Sequence, residues 1–264
     1  MPYISIAALL GVILFSFLAP VWYTVNPLFL DSNAILLPPS AEHWFGTDRL
    51  GRDILARLME GGQVSLLIGF ASALAATLIG LLYGVSAALI RGGFDKFFIV
   101  IVDLFLTFPT LFLLLTLVSY VNASIWVLVL IISITGWMGT ARMIRSESFA
   151  IASKPYIRIL HIAHVSKLKI ILKYYAPLLA PIVLVSFTFG VGGAILAESG
   201  LSFLGLGITA PQMSWGSILS GGKEVIDIAW WVSFFPGLMI FIVTLALMNI
   251  SNALQAKMNQ KEVR

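Results

Sequence analysis

The sequence contains no cysteine, which excludes disulfides, thiol catalysis and thiolate metal sites. Charge is scarce as well. Only 11% of its 264 residues are Asp, Glu, Lys or Arg, against about 25% in an ordinary soluble domain. There is no G-x-x-x-x-G-K-[ST] phosphate loop, and Gly221-Gly-Lys-Glu224 is a lone glycine-rich turn without the spacing that cradles phosphates. Neither an H-E-x-x-H run nor a pair of intramembrane aspartates is present, so no catalytic constellation is legible. What the chain has in excess is apolar: 59% of it is hydrophobic. A soluble protein of this size keeps much of its outside polar and cannot hide that much apolar surface. A lipid bilayer as solvent removes the conflict.

A spanning helix needs about 20 mostly apolar residues. The pattern predicts six, over residues 3–23, 64–90, 97–120, 124–139, 178–197 and 230–252. The fold class is therefore an all-α membrane protein. The first stretch lacks the basic n-region and small-residue cleavage site of a signal peptide and reads as a mature span. In the second, Gly69, Gly80 and Gly84 either let helix backbones approach or are merely tolerated.

The connectors give the orientation. Between spans four and five lie Arg142, Arg145, Lys154, Arg158, Lys167, Lys169 and Lys173, against Glu147 alone. Arg91 and Lys96 follow span two, and Lys257, Lys261 and Arg264 follow span six. The opposite connectors are poorer in cations relative to acids. By the positive-inside rule the basic loops and both termini face the cytoplasm. Residues 24–63 and 199–229 then lie outside.

Two outer segments carry structure of their own. Residues 50–60 place Leu50, Ile54, Leu55 and Leu58 at helical spacing, which predicts an amphipathic helix on the surface or against the bundle. Thr47 or Asp48 is its expected cap. Asp48, Arg49, Arg52 and Asp53 form either a surface salt-bridge network or a contact with a partner. Residues 199–222, rich in Gly, Ser and Pro with interspersed Leu, Phe and Trp, predict a partly buried re-entrant or capping loop.

The cytoplasmic loop over about 150–177 is more than an orientation signal. Ile157, Leu160, His161 and His164 fall at i, i+3, i+4 and i+7, and Pro155 suits a first helical turn. Ser166 interrupts, and Leu168, Ile171, Leu172 and Tyr175 begin a second stripe. A short helix in isolation is marginal, so a docking groove on another protein is the expected source of its missing burial. Pro155, Tyr156, Arg158, Leu160, His161, His164, Ser166, Lys167 and Lys169 are the contact candidates. His161 and His164 without a nearby acid or Cys make a poor metal site, and no metal is expected. Asp103 and Glu198 are acids at membrane level, where ionisable groups face a cavity or a partner. Asp103 is expected to pair with Arg142 or Arg145, and Glu198 either snorkels to water or turns inward with Ser199. Pro109 kinks span three, which lets Phe108 and Thr110 line a path.

Several blocks together resemble one family. Phe45-Gly-Thr-Asp-Arg-Leu-Gly-Arg-Asp53, Val64-Ser-Leu-Leu-Ile-Gly69, Asp103-Leu-Phe-Leu-Thr-Phe-Pro109, Ala197-Glu-Ser-Gly-Leu-Ser-Phe-Leu-Gly-Leu-Gly207, Ser214-Trp-Gly216 and Phe235-Pro-Gly237 occur in the order found in the C-type permeases of the dipeptide, oligopeptide and nickel ABC importers. The resemblance covers nearly the whole chain from Trp44. It departs at the coupling loop, where Arg158, Ile159 and Leu160 stand for a Glu-Ala-Ala triplet and His164 for a glycine. It departs also in a very short N-terminus.

This resemblance implies a type I importer permease fold, with residues 1–63 as a first helix plus outer segment and 64–264 as the transmembrane domain. It implies a multi-pass protein of the bacterial cell membrane that forms half of a heterodimeric pore. The implied partners are a homologous second permease, two ATPase subunits that hold ATP and Mg, and an extracytoplasmic binding protein. No cofactor and no nucleic acid is expected on this chain. The Asp48–Asp53 cluster would then favour the sister permease. Peptides, nickel and metal–chelator complexes are the implied cargo classes. A passive channel or secondary transporter of small polar solutes is the alternative, though no internal inverted repeat is visible.

Overall fold

The computed structural model describes residues 2–262, without the side chains of His161 and of residues 259–262. Arg264 and the Lys261 and Glu262 side chains thus lie outside the described residues. Among the described residues the architecture is all-helical, with one isolated bridge between Thr47 and Asp53. The helices are α1 (Pro2–Phe17), α2 (Ile54–Ile90), α3 (Gly92–Leu106), α4 (Thr110–Ser119), α5 (Ile125–Ser153), α6 (Pro155–Ile162), α7 (Lys167–Ile170), α8 (Ala176–Phe203), α9 (Trp215–Gly222) and α10 (Trp231–Glu262). A π-helical turn, Ile171–Tyr175, joins α7 to α8 into one long segment.

Among the described residues, five segments are long and apolar enough to cross a membrane, and α3 with α4 makes a sixth only as a broken pair. The expected kink at Pro109 is an 89° bend. Its cause is local. Pro109 has no N–H to continue the ladder and sits with φ −59° and ψ 123°, outside the helical region, as the residue before α4.

The bundle core is α2 against α5 and α8, with α10 packed on α8 and the peripheral α1. Small residues set the closest approach: a Cβ on Gly80 would stand 2.9 Å from the Ala141 nitrogen, and one on Gly84 2.8 Å from that of Arg145. Across the same interface, Ser133 Oγ of α5 reaches the Ser72 carbonyl of α2 at 3.3 Å. Ion pairs fasten α3 to α5. Arg145 grips Asp95 through Nε at 2.5 Å and Nη2 at 2.6 Å, and Arg142 Nη2 reaches Asp103 at 2.5 Å.

The outer segment corrects the expectation of a separate surface helix. Residues 54–60 are the buried first turns of α2, and Asp53, not Thr47 or Asp48, is the cap, accepting from Ala56 N at 2.9 Å. Ile54, Leu58 and Arg57 are all buried. Asp48, Arg52 and Asp53, expected on the surface or against a partner, instead bind within the chain and hold the 24–53 loop against α2. Gly46 allows this: it sits at φ +73°, and a Cβ there would be 2.6 Å from Trp231 Nε1. Trp231 in turn donates to the Thr47 carbonyl at 3.1 Å, and Phe45 stacks on Phe235 with centroids 4.0 Å apart. Sequence blocks far apart in the chain thus meet as one outer cap.

Candidate functional site

Three assemblies are candidates: a mid-bundle cavity, a buried hub around Glu198, and the short helix α6.

The cavity has a volume of about 640 Å³ and is walled by α2, α4, α5, α8 and α10. Its polar lining is hydroxyl and amide only, from residues such as Ser72, Thr77, Thr110, Thr135 and Asn252. No ionisable side chain lines it among the described residues. Thr110 of the expected path residues reaches it; Phe108 and Pro109 stand exposed at the α3–α4 break. Asp103 is away from it, with its side chain 56% exposed in the pair with Arg142.

The outer hub centres on Glu198. Instead of snorkelling to water, Glu198 is fully buried. Its carboxylate accepts from Ser202 Oγ and Ser214 Oγ, each at 2.6 Å, and from Ser65 Oγ at 3.4 Å. Ser65 Oγ accepts from Trp215 N at 3.0 Å, and Trp215 Nε1 donates to the Leu58 carbonyl. Ser214 also caps α9 through a reciprocal box with Ser217. One acid therefore ties α2, α8 and α9 together. Ser199 beside it is buried as well. The expected re-entrant loop at 199–222 is the end of α8, a turn, and the short buried helix α9.

A second outer network surrounds Asp53. Its Oδ2 accepts from Tyr23 Oη at 3.0 Å and meets His43 Nδ1 at 2.9 Å. Burial, reinforced by the Asp53 charge, raises the Tyr23 hydroxyl above the usual phenol range. Asp48 accepts from Arg52 Nε at 2.7 Å and from the Leu50 and Arg52 amides. Asp48 and Asp53 are buried, so this pair of networks is internal, and the expected surface salt-bridge network is corrected. Arg49 alone turns outward, to Glu224.

At the inner end, α6 packs Ile157 and, more loosely, Leu160 on a cluster with Val85, Ile151, Ile170 and Tyr175. Tyr156, Ile159 and Ile162 form the opposite stripe at i, i+3 and i+6, and are 42%, 63% and 78% exposed. Arg158, His164, Ser166, Lys167 and Lys169 are exposed too, while the His161 side chain lies outside the described residues. Ile159 and Ile162 lie off the stripe of Ile157 and Leu160 that packs into the bundle, so helical spacing alone does not single them out. Their signal was present: apolar residues off the buried face of a loop helix.

His164 has a backbone explanation. The helix ends at Ile162, and His164 follows at φ +53°. Val165 N donates to the Leu160 carbonyl at 3.1 Å, and both side chains pack on the same cluster. That is a Schellman ending, whose left-handed residue is usually glycine. A glycine at this position would relieve the backbone conformation. His164→Gly is expected to stabilise the loop by about 0.5–1 kcal/mol, and His164→Val to weaken it. Amide hydrogen exchange at residues 160–165 reads both; slower exchange in the valine variant would refute this reading.

Residues 64–261 match the family described as the binding-protein-dependent transport system inner membrane component. The chain belongs to this family. It is a transport permease of the cell membrane. The permease is 31% identical to the oligopeptide transport system permease protein OppC of Haemophilus influenzae over 260 residues, covering 98% of this chain and 84% of that protein. It is 33% identical to the nickel transport system permease protein NikC of Escherichia coli K12 over 234 residues, covering 89% and 84%. A chain of the inward-facing MetNI methionine ABC transporter superposes with a TM-score of 0.58 at 17% identity, over 75% of this permease and 96% of that chain. At that identity the likeness concerns the fold.

Proposed function

We propose that this permease forms one half of the pathway of an ATP-driven importer, with a homologous second permease as the other half. In this reading α6 docks on a separate ATPase subunit that holds ATP and Mg, and an extracytoplasmic binding protein delivers cargo. Both termini face the cytoplasm, as the basic inner connectors indicate. The chain itself carries no catalytic role. The observation that carries the proposal is α6: one apolar face is buried in the bundle, and the other is unpartnered. A lever needs both. ATP binding shifts the permease between inward and outward states only through contacts that differ between them.

The cargo is drawn from peptides, nickel or metal–chelator complexes, the classes in the relatives' names and in the family resemblance. The test is reconstitution in proteoliposomes with its neighbouring ATPase and binding-protein subunits. ATPase activity stimulated by binding protein loaded with a peptide or a nickel chelate is the expected result. Uptake that persists without any ATPase subunit would instead establish a passive or secondary transporter.

The cavity supplies a second check. A Cβ on Gly193 meets nothing within 4 Å, and Gly193 lines the cavity. Gly193→Phe is therefore expected to fold normally while filling the path, lowering uptake at unchanged assembly. Uptake equal to wild type would remove this cavity from the pathway.

A further inference from the structure

A small pocket lies beside α6 and takes in Ile162 at the edge of its exposed stripe. It has a volume of about 240 Å³ and is lined by Ala88, Leu89, Arg91, Ala152, Arg158 and Ile162. It lies where the end of α2, the end of α5 and the coupling helix meet. We propose that Arg91 and Arg158 hold the phosphate group of an anionic phospholipid of the cytoplasmic leaflet in this pocket.

The charge balance is the first argument. Two arginines from different elements line the pocket, and among the described residues neither has a carboxylate within 4 Å. The other inner arginines on the spans, Arg142 and Arg145, are each paired. A planar guanidinium suits phosphate geometry, and two of them create a site for one anion.

The backbone is the second. Arg91 sits at φ 57° and ψ −166°, a region otherwise kept for glycine that costs about 1–3 kcal/mol with a side chain. Gly92 and Gly93 follow immediately, so the turn tolerates glycine, yet an arginine occupies its most strained position. The side chain is also held. Nε donates to the Ala88 carbonyl at 3.1 Å, and the guanidinium lies 5.7 Å from the Phe149 ring centroid. A strained arginine that lines a pocket together with a second arginine gains a role if an anion binds there.

The third argument separates a lipid from a free anion. Leu74, Leu78 and Leu82 are exposed along α2, and Leu89, on the same helical face at i+15, lines the pocket, so this apolar stripe leads to it. Ile162, 78% exposed, borders the same pocket. An acyl chain can lie on the stripe while its headgroup reaches the arginines; inorganic phosphate would leave the stripe unused. Because Arg158 and Ile162 belong to α6, the lipid would bridge the spans to the coupling helix. That consequence rests on the coupling reading; the binding itself does not.

The test is native mass spectrometry of the full chain, with whatever subunits accompany it, using phosphatidylglycerol and phosphatidylcholine as probes. Preferential retention of phosphatidylglycerol is expected, falling about fivefold for each arginine removed in Arg91→Gly and Arg158→Gln. Arg91→Gly also relieves the strained backbone, so its melting temperature should equal or exceed wild type, which separates lost binding from lost fold. Retention that survives millimolar inorganic phosphate supports the lipid, and displacement by it overturns the lipid assignment. Retention unchanged in the double variant, with loss of copurifying ATPase instead, would give the arginines to a protein interface and sink the proposal.

Discussion

Glu198→Ala is expected to destabilise the permease severely. The carboxylate is fully buried and accepts from Ser65, Ser202 and Ser214. Alanine leaves three buried hydroxyls to find new acceptors, at about 1–3 kcal/mol for each that fails. The loss spreads, because Ser65 also receives Trp215 N and Ser214 caps α9. Thermal unfolding of the purified protein reads the effect, at about 2–4 °C for each kcal/mol in a chain of this size. Glu198→Gln keeps one carbonyl acceptor and should lie between. A melting temperature for the alanine variant within about a degree of wild type would remove the hub role, since even one orphaned hydroxyl moves it further.

The second large effect is functional. Ile159→Asp combined with Ile162→Asp is expected to abolish ATPase docking while leaving the bundle intact. Both side chains are exposed in the isolated chain, so neither supports its fold. In a docked complex each would bury most of its apolar surface, worth about 1.5–3 kcal/mol. Together that is about a hundred- to ten-thousandfold in affinity. The readouts are copurification of ATPase subunits and stimulated ATPase activity, with the melting temperature of the permease as control. Full copurification in the double variant would mean that the ATPase grips another surface.

These two sites differ in how far the residues announced them. The coupling helix was visible from Pro155, the i, i+3 spacing of Ile157 and Leu160, and the break at Ser166. It begins at Pro155 as expected but ends at Ile162, short of His164, which takes a left-handed backbone instead of a helical one. Which face was free was not visible, because amphipathicity shows that one stripe is buried but not that the opposite apolar stripe lacks a partner. Glu198 was visible only as an acid at the end of an apolar run. From one dimension, water and three serines are equal candidates to satisfy it. Ser65, Ser202 and Ser214 come from parts of the chain up to 150 residues apart, and packing alone brings them together.

The outer cluster failed for the opposite reason. Asp48, Arg52, Asp53 and Arg57 recur at the spacing of a solvated helical face, and that pattern is ambiguous between water and an internal polar network. The tight turn at Gly46 and the Trp231 indole resolved it by covering the face.

Composition, then, was enough to decide the solvent: a chain that is 59% hydrophobic and 11% charged must live in lipid, since transfer of apolar surface is local and nearly additive. Cation bias pointed to an orientation, and motif order pointed to the family. Only the tertiary structure decided that α2 begins at the Asp53 cap, that span three breaks by 89°, and that Glu198 turns inward. It also decided that Arg91 and Arg158 converge on one pocket. Those outcomes depend on which distant groups become neighbours, and local spacing carries no record of that.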